Sequence, residues 1–346
     1  MRVSYPLAAS RPTVGHDVRV SRQQPRVTSA AVAREAGVSR ATVSYVLNGV
    51  TTQRISESTR QRVLEVAARL GYRPHAGARA LRRGRTDVVL FVLPSVPVGH
   101  SLATMLERCA TALAGRGLTF VADFSRGRAG AEAATAWLRL APDAVVTLDD
   151  DLEECAIEQL RQSGVAVLRP FAGYRSFHAM VGQAQARYLL DRGHRRIGYA
   201  STDRPELDWV AAERLRGVRE ACAAAGVRPP TVRTVPVSHD QAVDALAGWL
   251  SGAPPTTAVC AFSDDVAVAL LAALHATGVQ VPDEVAVIGV DDIPVAAAVS
   301  PCLTTVTWPR EAFGESLAET VRALLDGAPP PAVPALDPYV VARSSA

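Results

Sequence analysis

The chain has no lysine; all 37 of its basic residues other than histidine are arginine. Base composition of a genome accounts for that habit as well as function does, so only the placement of the arginines is informative. The five cysteines, at positions 109, 155, 222, 260 and 302, are scattered, with no CxxC and no histidine pair at ligand spacing. That pattern excludes the common zinc motifs and reads as reduced, mostly buried thiols in a cytoplasmic protein. No apolar run approaches the roughly 20 residues needed to cross a bilayer, the longest strand-like one being Val88 to Pro94. The first 27 residues have no apolar segment of signal-peptide type. They carry Arg2, Arg11, Arg19, Arg22 and Arg26 against Asp17 alone, and read as a disordered basic arm or a mis-set start codon. There is also no GxSxG, no P-loop and no GxGxxG. The acidic runs Asp149 to Asp151, Asp264-Asp265 and Asp291-Asp292 lack His or Cys partners, so they read as loop ends or helix N-termini. Neither a metal nor a cofactor is expected.

With 346 residues, 48% of them hydrophobic and 21% charged, the composition fits a soluble protein of two or three domains. The net charge of +3 conceals an asymmetry: residues 1–85 hold 16 Arg and 4 acids, residues 86–346 hold 21 Arg and 30 acids. A basic head on an acidic body points to nucleic acid.

Residues 28–72 have helical spacing throughout, and residues 73–86 form a basic linker punctuated by Pro74, Gly77 and Gly84. From residue 87 to 346, strand and helix signals alternate. Expected strands are Val88–Leu93, Leu118–Ala122, Ala144–Leu148, Val165–Leu168, Arg196–Ala200, Thr231–Val237, Ala258–Phe262 and Val285–Val290, with a last one at Tyr339–Arg343. Near-continuous Val and Ile runs joined by Ala- and Leu-rich helices mean parallel strands covered on both faces. The expected fold is an all-α helix-turn-helix headpiece followed by an α/β core of two doubly wound parallel-sheet lobes. Lobe 1 is assigned to about 87–190 and 308–335, and lobe 2 to about 191–307 and 336–346.

Within the head, Thr28 can cap a first helix that stops at Gly37, and Ser39 a second over Arg40 to Leu47. Ala33, Gly37, Val43 and Val46 stand at offsets 0, 4, 10 and 13, the helix-turn-helix spacing. A third helix, capped by Ser56 and ended by Gly71, supplies Val63, Val66, Ala67 and Leu70. The other face of the second helix then carries Arg40, Ala41, Thr42, Ser44 and Tyr45, where a recognition helix meets base edges and phosphates. The bland alternative is a three-helix bundle without DNA contact.

The text VTSAAVAREAGVSRATVSYVLNG, then ISESTRQRVLEVAARLGYRP, ARALRRGRT, RGHRRIGYA, RLRGVREACAAAG, VPDEVAVIGVDDIP and LTTV strongly resembles the LacI/GalR family of bacterial transcription regulators in order and spacing. The resemblance covers the chain from about residue 27 onward and implies a core like a periplasmic sugar-binding protein. It implies that Arg40, Ala41 and Tyr45 read bases, while Ser39, Thr42, Ser44 and Asn48 meet phosphates. Ala78, Arg79 and Leu81 fall in the implied hinge helix, with Leu81 wedging into the minor groove. Tyr45 stands where many members carry Arg, His75 replaces a common Asn and Ala31 an Asp. In the core, Arg214 opens an RxxG motif ending at Gly217 and matches a ligand-binding arginine, Asp291 matches a carboxylate that accepts ligand hydroxyls, and Ser263-Asp264 matches Asn-Asp at a strand end. Lobe 1 departs most: PSVPVGHS follows its first strand, and Phe177 or His178 replaces an Asp that often meets the ligand.

Three functions compete: a ligand-responsive repressor, a solute-binding protein of a transport system, and an α/β enzyme. The second needs export, and the third lacks a catalytic motif. The expectation is a cytoplasmic homodimer that is not an enzyme, binding a pseudo-palindromic double-stranded operator, with no membrane partner. A small-molecule effector, by default a sugar, sits between the lobes and controls operator affinity. No heptad tail follows the last strand, which favours a dimer over a tail-assembled tetramer.

Overall fold

The computed structural model describes residues 27–48, 53–72, 80, 81, 83–93, 96–124, 130–148, 152–170, 174–252, 255–331 and 336–346. The expected arm, the hinge residues Ala78 and Arg79, His75 and Asp149 to Asp151 lie outside this set. The chain divides into two compact units, Met1–Arg82 and Arg83–Ala346.

In the first unit, α1 (Ser29–Ala36), α2 (Arg40–Leu47) and α3 (Glu57–Arg69) each begin at a hydroxyl. Thr28 Oγ1 accepts from Ala31 N, Ser39 Oγ from Thr42 N and Ser56 Oγ from Thr59 N, which satisfies one otherwise unpaired donor per helix. Gly37 turns the chain at φ 66°, where a side chain would be strained. Val32, Ala33, Ala36, Val43, Val46, Val63, Val66 and Ala67 form the shared core. Val38 and Leu70 close its edge.

The second unit holds two sheets. The first comprises β1 (Val88–Val92), β2 (Thr119–Asp123), β3 (Ala144–Thr147) and β4 (Ala166–Leu168), in the order β2-β1-β3-β4 and all parallel. Its helices are α4 (His100–Gly115), α5 (Gly130–Leu138) and α6 (Glu154–Gln162). After α7 (Tyr174–Asp191) comes the second sheet: β5 (Ile197–Ser201), β6 (Thr231–Thr234), β7 (Ala258–Ala261), β8 (Ala286–Val290), β9 (Thr304–Thr307) and β10 (Tyr339–Val341). Its order is β10-β9-β8-β7-β5-β6, parallel except for β10. Helices α8 (Asp208–Ala224), α9 (His239–Leu250) and α10 (Asp264–Ala276) connect its strands, and α11 (Arg310–Leu325) follows β9.

Two expectations are corrected. Strand β9 was not expected, because TTVT lacks the apolar run of its neighbours; Thr304 and Thr305 are nonetheless fully buried. Their hydroxyls are satisfied, Thr304 Oγ1 accepting from Arg343 N at 3.0 Å and Thr305 Oγ1 donating to Asp264 Oδ1 at 2.6 Å. The lobe boundary also moves. Helix α7, assigned to lobe 1 by a break near residue 190, packs Val181, Ala186, Leu189 and Leu190 against Ile197, Tyr199 and Ile288 of the second sheet. Helix α11, by contrast, puts Phe313, Leu317 and Val321 against Met105, Cys109 and Leu113 beside the first sheet. Burial pushes the Cys109 thiol up to about 12, so it is inert.

Candidate functional site

Helix α2 has two chemically distinct faces. Val43 and Val46 are buried, while Ser39, Arg40 and Ala41 are exposed and Thr42, Ser44 and Tyr45 are half-exposed. Arg40 is exposed at the first position of α2. Two residues that the resemblance assigns to phosphates also hold the helix. Ser39 caps it and meets Thr42 Oγ1 at 2.9 Å, and Asn48 donates from Nδ2 to Ser44 O at 2.5 Å. Leu81 lies in a short helical segment and is 88% exposed, by far the most exposed large apolar side chain described.

In the second unit, a cavity of about 200 Å³ opens at the carboxyl ends of strands from both sheets. That is where open α/β sheets bind ligands. The segments after β1, β3, β5, β7, β8 and β9 all contribute to it. Arg214 enters from α8 with its side chain 8% exposed, and donates from Nη1 to the Phe262 carbonyl. Its Cζ stands 4.7 Å from the Phe262 ring centroid, and its Nη2 is 3.9 Å from Asp291 Oδ1. The buried Arg214 Nε has no hydrogen-bond partner among the described residues. Asp291 sits at φ 111°, a conformation disfavoured for a side chain with a Cβ. Burial raises its carboxyl pKa, against the opposing pull of Arg214 and Arg310. Arg310 spans the cleft, donating from Nη2 to Asp291 O at 2.6 Å and from Nε to Ser101 Oγ at 3.2 Å.

Arg214, Asp291 and Ser263 therefore meet at the cavity wall, although Ser263 also caps α10 through Val266 N. Asp264 does not join them. It is fully buried behind the wall, accepting from Thr305 Oγ1 at 2.6 Å and Ile293 N at 2.9 Å, and burial pushes its carboxyl up to about 7. Its neighbour Asp265 lines the cavity instead, because one step along a helix turns a side chain by about 100°. Phe177 and His178 both line it as well. His178 lies within an aromatic row, between Trp209 at 5.4 Å and Phe177 at 5.6 Å, and Trp308 is 5.8 Å from Phe177. Burial, and then Arg214, depress the His178 pKa well below the usual range, so the imidazole is neutral.

Sequence reasoning missed Ser101, Asp265, Trp308 and Arg310. The last two lie just beyond the LTTV text, and recognising TTVT as a strand would have pointed to Trp308 as the residue at its end and to Arg310 at the start of the next helix. Gln185, also missed, is fully buried in α7 and donates from Nε2 to the carbonyls of Ala261, Ile288 and Gly289, which aligns the strand ends beneath the cavity. Among the described residues, no group of three or more His, Cys, Asp or Glu gathers to hold a metal, and no helix is long and apolar enough to cross a membrane.

Residues 30–75 match the bacterial regulatory proteins of the lacI family, and residues 186–346 match the periplasmic binding protein-like domain. The HTH-type transcriptional regulator CelR of Thermobifida fusca is 34% identical over 320 residues, 87% of this chain and 92% of that protein. The regulator GntR of Pseudomonas aeruginosa is 31% identical over 323 residues, 89% of this chain and 92% of that one. Among solved structures, a CelR–cellobiose complex is 30% identical with a TM-score of 0.57, over 93% of this chain and 100% of that one. The lac repressor dimer bound to operator and the anti-inducer ONPF, at 22% identity and a TM-score of 0.75 over 93% and 99%, shares the fold. On its helix-turn-helix head, its two-sheet core and these relatives, the chain belongs to the LacI family of bacterial transcriptional regulators.

Proposed function

We propose that this regulator is a cytoplasmic, non-enzymatic repressor that binds a pseudo-palindromic operator as a homodimer and changes its grip when a small hydroxylated ligand, a sugar in the first instance, fills the core cavity. The observation that carries this reading is the division of α2, with its valines buried and Arg40, Ala41 and Tyr45 facing outward. These three read bases, and Thr42 and Ser44 approach phosphates. Ser39 acts on phosphate mainly by fixing the N-terminus of α2, whose backbone N–H groups bind anions, and Asn48 meets phosphate from the other end of the helix, where its Nδ2 also donates to Ser44 O. The exposed Leu81, with Ala78 and Arg79, forms the minor-groove hinge. In the core, Arg214 and Asp291 take vicinal hydroxyls, with Asp265 and Ser263 beside them, because a fork of donors next to an acceptor matches such a pair. The cellobiose bound by CelR supports a sugar.

Selection of the full chain against a randomised duplex library tests the reading. The expected outcome is an inverted repeat whose half-site centres lie about one helical turn apart. Recovery of no preferred sequence would refute it.

A further inference from the structure

Asp291, immediately after β8 of the second sheet, is held from the opposite lobe. Ser101 stands in the first turn of α4 beside the first sheet, and Arg310 is the first residue of α11, which packs on α4. Those two helices form one body: Arg108 meets Glu311 at 2.8 Å, Arg116 meets Glu315 at 2.9 Å, and a Cβ on Gly314 would stand 3.1 Å from the Arg108 backbone. From that body Arg310 reaches in two directions, donating from Nε to Ser101 Oγ at 3.2 Å and from Nη2 to Asp291 O at 2.6 Å. The Ser101 side chain in turn bonds the Asp291 carboxyl. The direction of each bond is fixed, because a guanidinium only donates and an ionised carboxyl only accepts. Ser101 therefore accepts from Arg310 and gives its one hydroxyl proton to Asp291, and the three groups close a ring of hydrogen bonds across the cleft.

The backbone shows why such support is needed. Asp291 and Asp292 sit at φ 111° and 50°, where a residue with a Cβ is disfavoured, and a turn of that kind persists only when its surroundings hold it. Arg343 holds the Asp292 half from within the second lobe, Nη2 to Oδ1 at 2.6 Å. The Asp291 half is held by Arg310, whose Cζ is backed by the Trp308 ring at 5.3 Å. The pairing of Arg214 with Asp291, at 3.9 Å, is looser.

We infer that Arg310 is a positioning residue that, through Ser101, fixes Asp291 and ties the two lobes together across the cleft. The tie is made of protein groups alone, so it acts whichever ligand the cavity accepts. Any movement of Asp291 is thereby passed to the N-termini of α4 and α11 in the first lobe.

Hydrogen–deuterium exchange of the full chain in buffer alone tests this at both ends of the tie. In the first lobe the reporter is Ala103 N, bonded to Gly99 O at 3.0 Å. In the second they are Asp291 N and Ile293 N, each bonded at 2.9 Å, to Val306 O and Asp264 Oδ2. Ser101→Ala removes the middle of the ring, and Arg310→Met removes its source while keeping an apolar stem beside Trp308. Each is expected to speed exchange at the reporters of both lobes about tenfold or more, the order expected for losing a hydrogen bond to a charged group, while Phe91 and Val259 in the central strands keep wild-type rates. The double variant is expected to exchange no faster than Arg310→Met alone, because groups within one network are not additive. Unchanged exchange in either lobe of Ser101→Ala overturns the inference. A rise that extends equally to Phe91 and Val259 overturns it as well, since that is general loosening, and so does a double variant whose effects multiply, since the contacts are then independent. Should Arg310→Met lose its cooperative thermal transition, Arg310→Lys takes its place, a single ammonium lacking the fork that serves both acceptors, and the same outcomes decide.

Discussion

On the proposed reading, position 45 is where a single side chain has the most leverage over the choice of operator. Tyr45 is half-exposed on α2, and a tyrosine cannot make the bidentate guanine contact that arginine makes. Tyr45→Arg is therefore expected to redirect preference toward guanine at one base pair per half-site, by about 1–3 kcal/mol of discrimination, read by repeating the operator selection; an unchanged consensus would remove Tyr45 from the base-reading set. Asp264 offers a different test, through protons. Its carboxyl is pushed from 3.8 up to about 7 in the fold, so between those values the native state binds more protons than the unfolded chain. Its contribution to stability is then fully present below about pH 4 and lost as pH rises through 7. Asp264→Asn should remove that slope, so thermal melts of the variant and the wild type should diverge with pH between 5 and 7.5; parallel curves would argue against a raised carboxyl. Arg214 and Asp291, which the family resemblance named through the RxxG and GVDD texts, both line the cavity. The choice between Asp264 and Asp265 was not legible in the sequence, since it depends on which way the first turn of α10 faces, and that is set by Thr305 forty-one residues away.

Among elements, the three head helices were readable because caps and a glycine turn are local chemistry: Thr28, Ser39 and Ser56 each bond within three residues. Strand β9 and the allegiance of α7 were not, because both are decided by distant partners. A Cβ on Gly217 would run into the Ala179 carbonyl of α7, and one on Gly182 into the Arg214 carbonyl of α8. These two glycines let α7 and α8 touch backbone to backbone, which gives the Gly of the RxxG motif a packing reason. Gly217→Ala is expected to cost at least about 1–3 kcal/mol, the range for overpacking, and to weaken effector binding too, since α7 and α8 carry His178 and Arg214. A melting temperature within a degree of wild type would show that the helices can separate freely.

At the scale of the whole molecule, charge was the clearest sequence signal: 16 arginines and 4 acids in residues 1–85. Operator affinity should therefore fall steeply with salt, by about 10³-fold or more between 50 and 200 mM if six or more phosphates are neutralised; fluorescence anisotropy titrations would measure the slope, and a flat response would contradict the head's assignment. The path of the chain in the core has a consequence for its synthesis. The first sheet is complete by residue 168, yet the helix that covers Met105, Cys109 and Leu113 begins only at Arg310, and the second sheet gains its last strand after that helix. Neither half of the core can finish burying its apolar surface until nearly the whole polypeptide has emerged from the ribosome. Both halves should then fold late and together, and a chain arrested near residue 300 would expose apolar surface and become a substrate for chaperones.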